Sequence, residues 1–189
     1  RVMDMLIAVL LGVVCLILLP FVRLVIYLED RGPLFVVQER VGKGGTLFTL
    51  YKFRTMTGND SGQYQNGKTK LRVTHVGNFL RKSRIDELPQ LWSLLVGEQS
   101  WVGPRPELPA LVTDYLKTIP NYDLRHLVLP GLSGWAQIYH QAHPHHQADV
   151  TETARKLSYD LYYIKHRSLI LDIDITLKTL KALSLRLGA

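Results

Sequence analysis

Two adjacent carboxylates, Asp86 and Glu87, are surrounded by cationic side chains in the stretch 81–92, RKSRIDELPQLW. Apolar residues at helical spacing accompany the pair, and Gly97 is a typical end for the predicted helix. These apolar positions are Leu88, Leu91, Trp92 and Leu95. Because proline is tolerated in the first helical turn and is costly further in, Pro89 places Asp86 at or near the N-cap. Carboxylates there are readily ionised beside unpaired backbone N–H groups, and such a site can hold a divalent metal together with a phosphate.

A purely structural interpretation of the same residues stays open on this stretch alone. Ser83-x-x-Asp86 matches a capping box, and an acidic pair before a helix is most often only a cap. The rest of the chain has to decide between a helix cap and a catalytic pair.

Three cationic side chains, Lys52, Arg81 and Arg105, are the candidates for holding phosphate groups. Lys52 and Arg54 alternate along a predicted strand and therefore face the same side of it, which suits an anion but is also common on a solvated sheet face. Arg105 lies between two prolines that stiffen its backbone, and a guanidinium on a stiff loop can bind phosphate through two parallel hydrogen bonds. A structural arginine paired with a carboxylate is the alternative for Arg105.

The beginning of the chain predicts a helix embedded in a membrane. As one helix, Met5–Leu28 would be roughly 36 Å long, enough to cross a hydrocarbon core of about 30 Å. Pro20 removes one helical hydrogen bond and bends the helix, and Arg23 just after it is costly to hold in hydrocarbon. We therefore favour a re-entrant helix broken at this proline over a simple span, although Pro-kinked spans are also common. Its basic residues would then share one membrane face: Arg1, Arg23 and Arg31.

The remaining pattern predicts an α+β fold that is mostly helical, with a small sheet. β-Branched and aromatic residues predict strands at Leu34–Arg40 and Leu47–Thr55, joined as a β-hairpin through a glycine-rich turn. Helices are predicted at Val73–Lys82, Leu108–Ile119, Glu152–Arg167 and Leu169–Leu187. The polar segment 57–70 is predicted to be a surface loop. We expect two parts, a membrane helix over residues 1–30 and a catalytic domain over 31–189 that lies at the membrane surface.

An apolar stripe follows one side of the last predicted helix: Ile173, Leu177, Leu180, Leu183 and Leu187. Such a stripe is typical of a helix packed on a core and also of an amphipathic helix lying in the membrane interface, and both interpretations stay open. The chain of 189 residues has a net charge of +7, which indicates an anionic partner. Its single cysteine, Cys15, excludes an internal disulfide.

A histidine cluster near position 140 raises the question of a zinc site. Its members are His140, His143, His145 and His146. Their spacing matches no Cys/His zinc pattern, and Pro144 lies among them. We predict a solvated loop without zinc, while a pH-sensitive or substrate-facing role stays open.

Taken together and in this order, the motifs resemble those of the bacterial sugar transferases, the monotopic phosphoglycosyl transferases that act on polyprenol phosphate. The resemblance is carried by residues 35–42 (FVVQERVG), 51–56 (YKFRTM), 86–91 (DELPQL), 103–106 (GPRP), 130–137 (PGLSGWAQ) and 159–163 (YDLYY). It covers nearly the whole chain and is much more specific than any single motif. It implies a catalytic core, either of a small member or of the C-terminal part of a larger one.

The resemblance implies a reaction, a cofactor and a location. Such an enzyme transfers a phosphosugar from a UDP-sugar to a membrane polyprenol phosphate (undecaprenyl phosphate), releases UMP and initiates surface glycans such as exopolysaccharide or lipopolysaccharide. Asp86 would be the nucleophile, Glu87 its partner in the dyad, and Mg²⁺ would be bound at both carboxylates. The catalytic domain would lie on the cytoplasmic face of the bacterial inner membrane, with self-association left open.

Two departures from the family pattern bear on these expectations. The family often has Ser-Pro at the membrane break, whereas this chain has Leu19-Pro20. After Gln137 many members have an Asn-Gly-Arg-like turn, whereas residues 138–146 here are rich in histidine. The identity of the sugar therefore cannot be carried over from the family.

Two rival functions remain compatible with the sequence. The first is a membrane-anchored, metal-dependent hydrolase of nucleotide diphosphate sugars that uses the same dyad but gives free sugar phosphate. The second is a non-enzymatic basic module on anionic lipid or nucleic acid. Nucleic acid is disfavoured because the cations gather around carboxylates instead of forming one stripe with stacking aromatic residues.

Overall fold

The computed structural model describes residues 1–58, 71–140 and 150–184. Its helices are α1 (Val2–Asp30), α2 (His75–Ser83), α3 (Leu91–Val96), α4 (Pro109–Thr118), α5 (Trp135–Tyr139), α6 (Val150–His166) and α7 (Leu169–Ser184). Its strands are β1 (Phe35–Val41), β2 (Leu47–Phe53), β3 (Ser100–Val102) and β4 (Gly131–Ser133). Short 3₁₀ helices cover Lys43–Gly45, Ile85–Gln90 and Tyr122–Leu127. The predicted α+β fold, mostly helical with a small sheet, is confirmed.

Helix α1 runs along the rest of the fold for its whole length. Its residues that face the other elements recur every three or four positions: Asp4, Ala8, Leu11, Cys15, Leu18, Val22 and Ile26. Many apolar side chains on its other sides are exposed, and Leu10, Leu16, Ile17 and Phe21 are more than half exposed. The helix is long and apolar enough to cross a membrane, and helical structure continues through Pro20.

Both ends of α1 are tied to the globular part by polar contacts. At its start, Asp4 accepts hydrogen bonds from the Ser100 hydroxyl at 2.9 Å and from the Trp101 N–H at 2.7 Å. At its end, Glu29 accepts from the His75 N–H at 2.6 Å, at the beginning of α2. Asp30 pairs with Arg54 just after β2. The two ends of the helix therefore lie on the same body of protein.

The predicted β-hairpin is confirmed as the antiparallel pair β1 and β2, whose register places Val36 opposite Lys52. The turn between the strands needs positive φ angles, and these fall on Gly44 and Gly45 at 67° and 78°. L-residues with a side chain rarely adopt such angles, which accounts for glycine here. The buried residues Leu50 and Phe53 hold β2 in the interior and so fix the position of Lys52 between them.

A sharp turn between α2 and α3 carries the two carboxylates. Thr74 caps α2 by accepting the Gly77 N–H at 2.9 Å, and the helix ends at Arg84, whose φ is 58°. The 3₁₀ helix Ile85–Gln90 follows at once with Arg84 as its N-cap, so Asp86 lies near an N-cap as predicted, but in the first turn of a 3₁₀ helix that precedes α3. Ser83 donates its hydroxyl hydrogen to the Phe79 carbonyl, which also removes the capping-box interpretation.

The helix predicted after the carboxylates is shorter than expected. It begins at Leu91 and ends at Gly97, the expected end, whose φ of 90° suits glycine. Leu91 and Leu94 are buried, whereas Trp92 is 58% exposed. The predicted apolar side was therefore partly wrong, because the preceding 3₁₀ turns rotate the side chains relative to an α-helix that would include Pro89.

A short parallel pair, β3 with β4, was not predicted. It brings Gly103 against Gly131, where a Cβ on Gly131 would lie 2.1 Å from the Gly103 nitrogen. Only glycine permits this approach of two backbones, and the contact fixes the start of the loop that carries Arg105.

The remaining predicted helices are found close to their expected bounds as α4, α6 and α7. Ile175 of α7 is buried in the core, whereas Ile173, Leu177 and Leu180 are 46%, 61% and 52% exposed. The predicted surface loop lies mostly outside the described residues, and so do His143, His145, His146 and Leu187. His140 is described, and its Nε2 lies 3.2 Å from a carboxylate oxygen of Glu152.

Candidate active site

Glu87 is held by cations that come from three separate elements. Its Oε1 accepts a hydrogen bond from Arg105 Nη2 at 2.7 Å and lies 3.4 Å from Lys52 Nζ on β2. Its Oε2 lies 3.6 Å from Arg84 Nη1. Burial opposes ionisation of this side chain, but the nearby charges of Arg105, Lys52 and Arg84 outweigh burial and hold its pKa well below the usual range. Glu87 is therefore a fixed negative charge.

The neighbouring Asp86 has opposite surroundings. It is 8% exposed, and its Oδ1 accepts no hydrogen bond from any described residue. Burial, followed by repulsion from Glu87, raises the pKa of Asp86 to about 6, although Lys52, Arg84 and Arg81 act in the other direction. A buried oxygen without a partner is costly and needs an explanation. Asp86 Oδ1 therefore has its hydrogen-bonding capacity left for a ligand or a reacting atom.

The charge of Lys52 acts to lower the pKa of both Asp86 and Glu87. Burial lowers its pKa to about 8, and the nearby Arg105 acts in the same direction while Glu87 opposes them. Lys52 is therefore mostly charged at neutral pH, since that pKa lies above 7. β2 thus places Lys52 next to Glu87, and its binding of phosphate stays a prediction.

Arg81 and Arg54, which the sequence also indicates as candidate anion contacts, lie in different surroundings. Arg81 of α2 donates its Nε–H to the Thr55 hydroxyl at 2.8 Å, and its charge is close enough to lower the pKa of Asp86. Arg54 does not share the face of Lys52 toward the dyad. It is buried and donates its Nε–H to the Pro33 carbonyl at 2.8 Å. Its charge is paired with Asp30 at the end of α1 instead of facing the dyad.

Arg105 sits on a loop whose successive carbonyls are all hydrogen-bonded. The Arg105 carbonyl accepts Arg125 Nη2 at 2.8 Å, the Pro106 carbonyl accepts Arg40 Nη1 at 3.2 Å, and the Glu107 carbonyl accepts the Val41 N–H at 3.0 Å. Glu87 raises the pKa of Arg105, so this guanidinium stays charged. The alternative of a carboxylate-paired arginine describes what it does here, but that carboxylate belongs to the dyad.

Arg84 and Arg125 belong to the surroundings of this site but were not predicted. Arg84 had a usable signal, since it lies two residues before Asp86 among the cations. Arg125 had none, because its partner Asp160 is 35 positions away and a single sequence does not show which buried charges pair.

The donor set at the dyad fits Mg²⁺ that is held together with a phosphate substrate. Among the described residues, no cluster of three or more His, Cys, Asp or Glu side chains could form a metal cage built from protein alone. Mg²⁺ does not require one, since it is usually held by one or two carboxylates together with substrate phosphates and water. The free oxygen of Asp86 and the adjacent Glu87 meet that requirement.

The arrangement therefore combines a free oxygen of Asp86 with cations that are held at the adjacent Glu87. A carboxylate oxygen can attack phosphorus, and fixed cations stabilise the negative charge of phosphate oxygens. The model of the family described as bacterial sugar transferase matches residues 1–186. The chain belongs to the bacterial sugar transferase family. The family description, a sugar transferase, is consistent with the attack on phosphorus that the Asp86–Glu87 dyad permits.

Relatives of this bacterial sugar transferase include enzymes with different named sugars. It is 45% identical over 87% of its length to a UDP-N-acetylgalactosamine-undecaprenyl-phosphate N-acetylgalactosaminephosphotransferase of Aeromonas hydrophila, of which it covers 38%. It is 40% identical over 97% of its length to a UDP-glucose:undecaprenyl-phosphate glucose-1-phosphate transferase of Caulobacter vibrioides, of which it covers 68%. An enzyme with the latter name in Escherichia coli is 40% identical over 84% of the chain, which covers 34% of that enzyme. Except for the Caulobacter protein, the chain spans about a third of these relatives.

Proposed function

We propose that this protein transfers a phosphosugar from a UDP-sugar to undecaprenyl phosphate, releases UMP, and so initiates synthesis of a bacterial surface glycan. The observation that carries the proposal is the unpartnered, buried Oδ1 of Asp86 beside a Glu87 that is paired with Arg105. The names of the relatives support the two substrate classes. They differ in the sugar, so either N-acetylgalactosamine or glucose is compatible with the resemblance.

The covalent route follows from Asp86 as the nucleophile. A carboxylate oxygen of Asp86 attacks the β-phosphorus of the UDP-sugar, the P–O bond to the α-phosphate breaks, and UMP leaves with the bonding electrons. An oxygen of undecaprenyl phosphate then attacks the same phosphorus, and the P–O bond to Asp86 breaks. The products are UMP and a lipid diphosphate sugar, and the Asp86 carboxylate is restored. Splitting the transfer into two displacements is the general advantage of covalent catalysis.

The cations around Glu87 have a second role in this proposal. Lys52, Arg81 and Arg105 hold the phosphate oxygens of the UDP-sugar, with the charge of Glu87 keeping Arg105 in place before substrate arrives. Preorganised charges of this kind favour the transition state because they need no rearrangement during the reaction. Asp86 and Glu87 would hold Mg²⁺, which neutralises charge on phosphate oxygens when it is bound.

We further propose that α1 is re-entrant and stays within one leaflet. Asp4 and Asp30, at its two ends, both contact the globular part, and one side of the helix packs on that part throughout. A simple span would instead separate the start of α1 from that part by the thickness of the membrane. The exposed apolar side of α7 suits an interfacial helix. UDP-sugars are made in the cytoplasm, which places the dyad on the cytoplasmic face of the inner membrane.

The test is a panel of UDP-sugars with undecaprenyl phosphate and Mg²⁺, in which UMP and the sugar-containing product are both identified. We expect one or a few UDP-sugars to give UMP together with lipid-linked sugar. Asp86→Asn should abolish turnover and Glu87→Gln should nearly abolish it, with both variants still folded. UMP with free sugar phosphate would identify a hydrolase instead. No UMP from any UDP-sugar would refute the enzymatic proposal.

A further inference from the structure

The most heavily paired buried cation in the described residues is Arg125, which lies behind the loop of Arg105. Its side chain is 3% exposed. Its Nη2 lies 2.9 Å from an Asp160 carboxylate oxygen, and its Nη1 donates to the Tyr122 hydroxyl at 2.8 Å. Its Nη2 also donates to the Arg105 carbonyl at 2.8 Å. One guanidinium thus connects α6, the 3₁₀ helix Tyr122–Leu127 and the loop.

A second buried pair holds the same loop two residues further along, at Glu107. Lys156 of α6 pairs with Glu107, and Glu107 Oε1 lies 3.9 Å from Arg125 Nη1. Lys156 and Asp160 are four residues apart on one side of α6, so this helix presents a cation and an anion to the loop. Helix α6 therefore contacts the loop in two ways. Lys156 pairs directly with Glu107, and Asp160 pairs with Arg125, which in turn donates to the Arg105 carbonyl.

The loop has an intrinsic need for such outside donors. Pro104 and Pro106 have no backbone N–H, so the residues beside Arg105 cannot tie the loop down through their own amides. A buried ion pair is not needed for stability, since apolar side chains of similar volume often stabilise a fold as well. Apolar side chains cannot, however, hold a carbonyl oxygen in one place. A guanidinium can bind a carboxylate and a carbonyl at the same time, in a fixed plane.

We propose that Arg125, oriented by Asp160, is a positioning residue that sets the guanidinium of Arg105 against Glu87. It touches neither the dyad nor the space beside Asp86, and acts only through the backbone of Arg105. The proposal rests on the proposed function for its effect on catalysis. The geometric part, that Arg125 fixes the Arg105–Glu87 contact at 2.7 Å, stands on its own.

The principal test is a double-mutant cycle between Arg125→Lys and Arg105→Lys in the full chain, measured as kcat/KM for UMP release. Lysine at position 125 keeps the charge opposite Asp160 but loses the second donor that reaches the Arg105 carbonyl. We expect Arg125→Lys to lower kcat/KM by about 10- to 100-fold, because a displacement of about 1 Å can cost 100-fold. In the Arg105→Lys background the same change should cost less than about threefold.

Tyr122→Phe is the matched control. It removes one buried hydrogen bond of Arg125 but leaves the contact with the Arg105 carbonyl, so kcat/KM should stay within about threefold of wild type. The proposal would be overturned if Arg125→Lys had the same kcat/KM as wild type. It would also be overturned if the effects of Arg125→Lys and Arg105→Lys on kcat/KM simply multiplied in the double variant, which would leave Arg125 a structural role.

A second measurement does not depend on activity or on the reaction. In ¹⁵N spectra of arginine side chains, the Arg105 signal is assigned by its loss in Arg105→Lys, and the exchange of its Nη protons with water is compared between variants. We expect slow exchange in wild type and Tyr122→Phe, and fast exchange in Arg125→Lys. Equal exchange in wild type and Arg125→Lys would refute the positioning role. If no variant or wild type releases UMP, the proposed function fails while this comparison still decides the positioning role.

Discussion

Asp86 and Glu87 are neighbours in the chain, yet their carboxylates meet opposite electrostatic surroundings. Glu87 has Arg105, Lys52 and Arg84 within 4 Å, whereas Asp86 Oδ1 accepts no hydrogen bond from any described residue. When the surroundings of two carboxylates separate their pKa values, the two groups can take different roles in one active site. We infer that Glu87 organises the cations and that Asp86 reacts.

Arg105→Lys tests whether the guanidinium geometry at Glu87 matters or only its charge. A planar group that can bind Glu87 and a phosphate at once becomes a single point charge. Loss of one charge-assisted contact is worth about 1.5–3 kcal/mol, so kcat/KM should fall roughly 10- to 150-fold. Arg155→Lys is the control, because Arg155 is an exposed partner of Glu152 on α6. Near-normal kinetics of Arg105→Lys would return Arg105 to a structural role.

Asp86→Asn should stabilise the metal-free protein at neutral pH. The folded-state pKa of about 6 is above the ordinary value of 3.8, so the folded protein binds the Asp86 proton more tightly than the unfolded chain does. The stability from this group is fully present below about pH 4 and is lost as the pH rises through 6. At pH 7 in EDTA the amide should therefore raise the free energy of unfolding by about 1–3 kcal/mol, and at pH 4 it should not.

The measurement is the thermal midpoint of wild type, Asp86→Asn and Glu87→Gln in detergent, at both pH values. Each kcal/mol corresponds to about 2–4 °C for a chain of this size. Glu87→Gln should lower the midpoint at pH 7, because Arg105 and Lys52 lose their countercharge. Mg²⁺ should raise the midpoint of wild type and have little effect on Asp86→Asn. A midpoint for Asp86→Asn below that of wild type at pH 7 in EDTA would contradict the unpaired state of Asp86.

At the scale of residues, the sequence was sufficient to predict the types that gather at the site but not all their pairings. Asp86, Glu87, Lys52 and Arg105 were predicted, because carboxylates next to cations and an arginine between prolines are local patterns. The capture of Arg54 by Asp30 could not be predicted. This ion pair joins residues 24 positions apart. Whether Arg54 or Lys52 faces the dyad depends on where β2 ends, because Arg54 follows the last strand residue.

At the scale of elements, patterns of hydrophobic residues and turn chemistry predicted the hairpin and most helices. They failed for the turn Ile85–Gln90, because Pro89 and the positive φ of Arg84 favour tight 3₁₀ turns where an α-helix was expected. They also missed the pair β3 and β4, since strands of three residues have no periodicity to detect. This pair and this turn are the elements that bring Arg105 to Glu87.

Pro20→Leu tests the path of α1 through the membrane. A single cysteine is added before Arg1 in a Cys15→Ser background, and its labelling is compared from the two sides of the membrane. Wild type should label only from the cytoplasmic side, because Asp4 ties the start of α1 to Ser100 and Trp101. Leucine at position 20 supplies the backbone N–H that proline lacks and removes the steric clash of its ring, a change worth about 3 kcal/mol, and should move part of the population to a span.

Leu19→Val is the control for that experiment, because it changes the adjacent apolar residue and keeps the proline. It should label as wild type does. Labelling of the wild-type cysteine from the outside would refute the re-entrant path, whatever the behaviour of Pro20→Leu.

The exposed apolar side of α7 should contribute to membrane binding. Leu177→Asp combined with Leu180→Asp places two charges on this side without touching the buried Ile175. We expect weaker cosedimentation with anionic phospholipid vesicles and lower transfer to undecaprenyl phosphate in those vesicles. Leu116→Asp, on a leucine of α4 that is 51% exposed, is the matched control and should bind as wild type does. Unchanged binding of the double variant would show that α7 does not enter the interface.

At the scale of the whole molecule, the charged site and the apolar surfaces belong to one continuous structure. The hydrophobic core that contains Phe53 and Leu80 also contains Val22 and Ile26 of α1. Phe53 is the neighbour of Lys52, and Leu80 is the neighbour of Arg81. Helix α1 and the cations proposed to bind phosphate are thus fixed to the same core. The proposed reaction, between a water-soluble nucleotide sugar and a membrane lipid, requires an arrangement of this kind.

The most direct test of the central claim is to trap the phosphosugar on the protein. The full chain is incubated with Mg²⁺ and its active UDP-sugar in the absence of undecaprenyl phosphate, quenched, and analysed by peptide mass spectrometry. We expect a sugar phosphate on the peptide that contains Asp86, absent from Asp86→Asn, and lost when undecaprenyl phosphate is added before the quench. A protein that turns over rapidly but carries its adduct on another residue, or carries none under rapid quenching, would contradict Asp86 as the nucleophile.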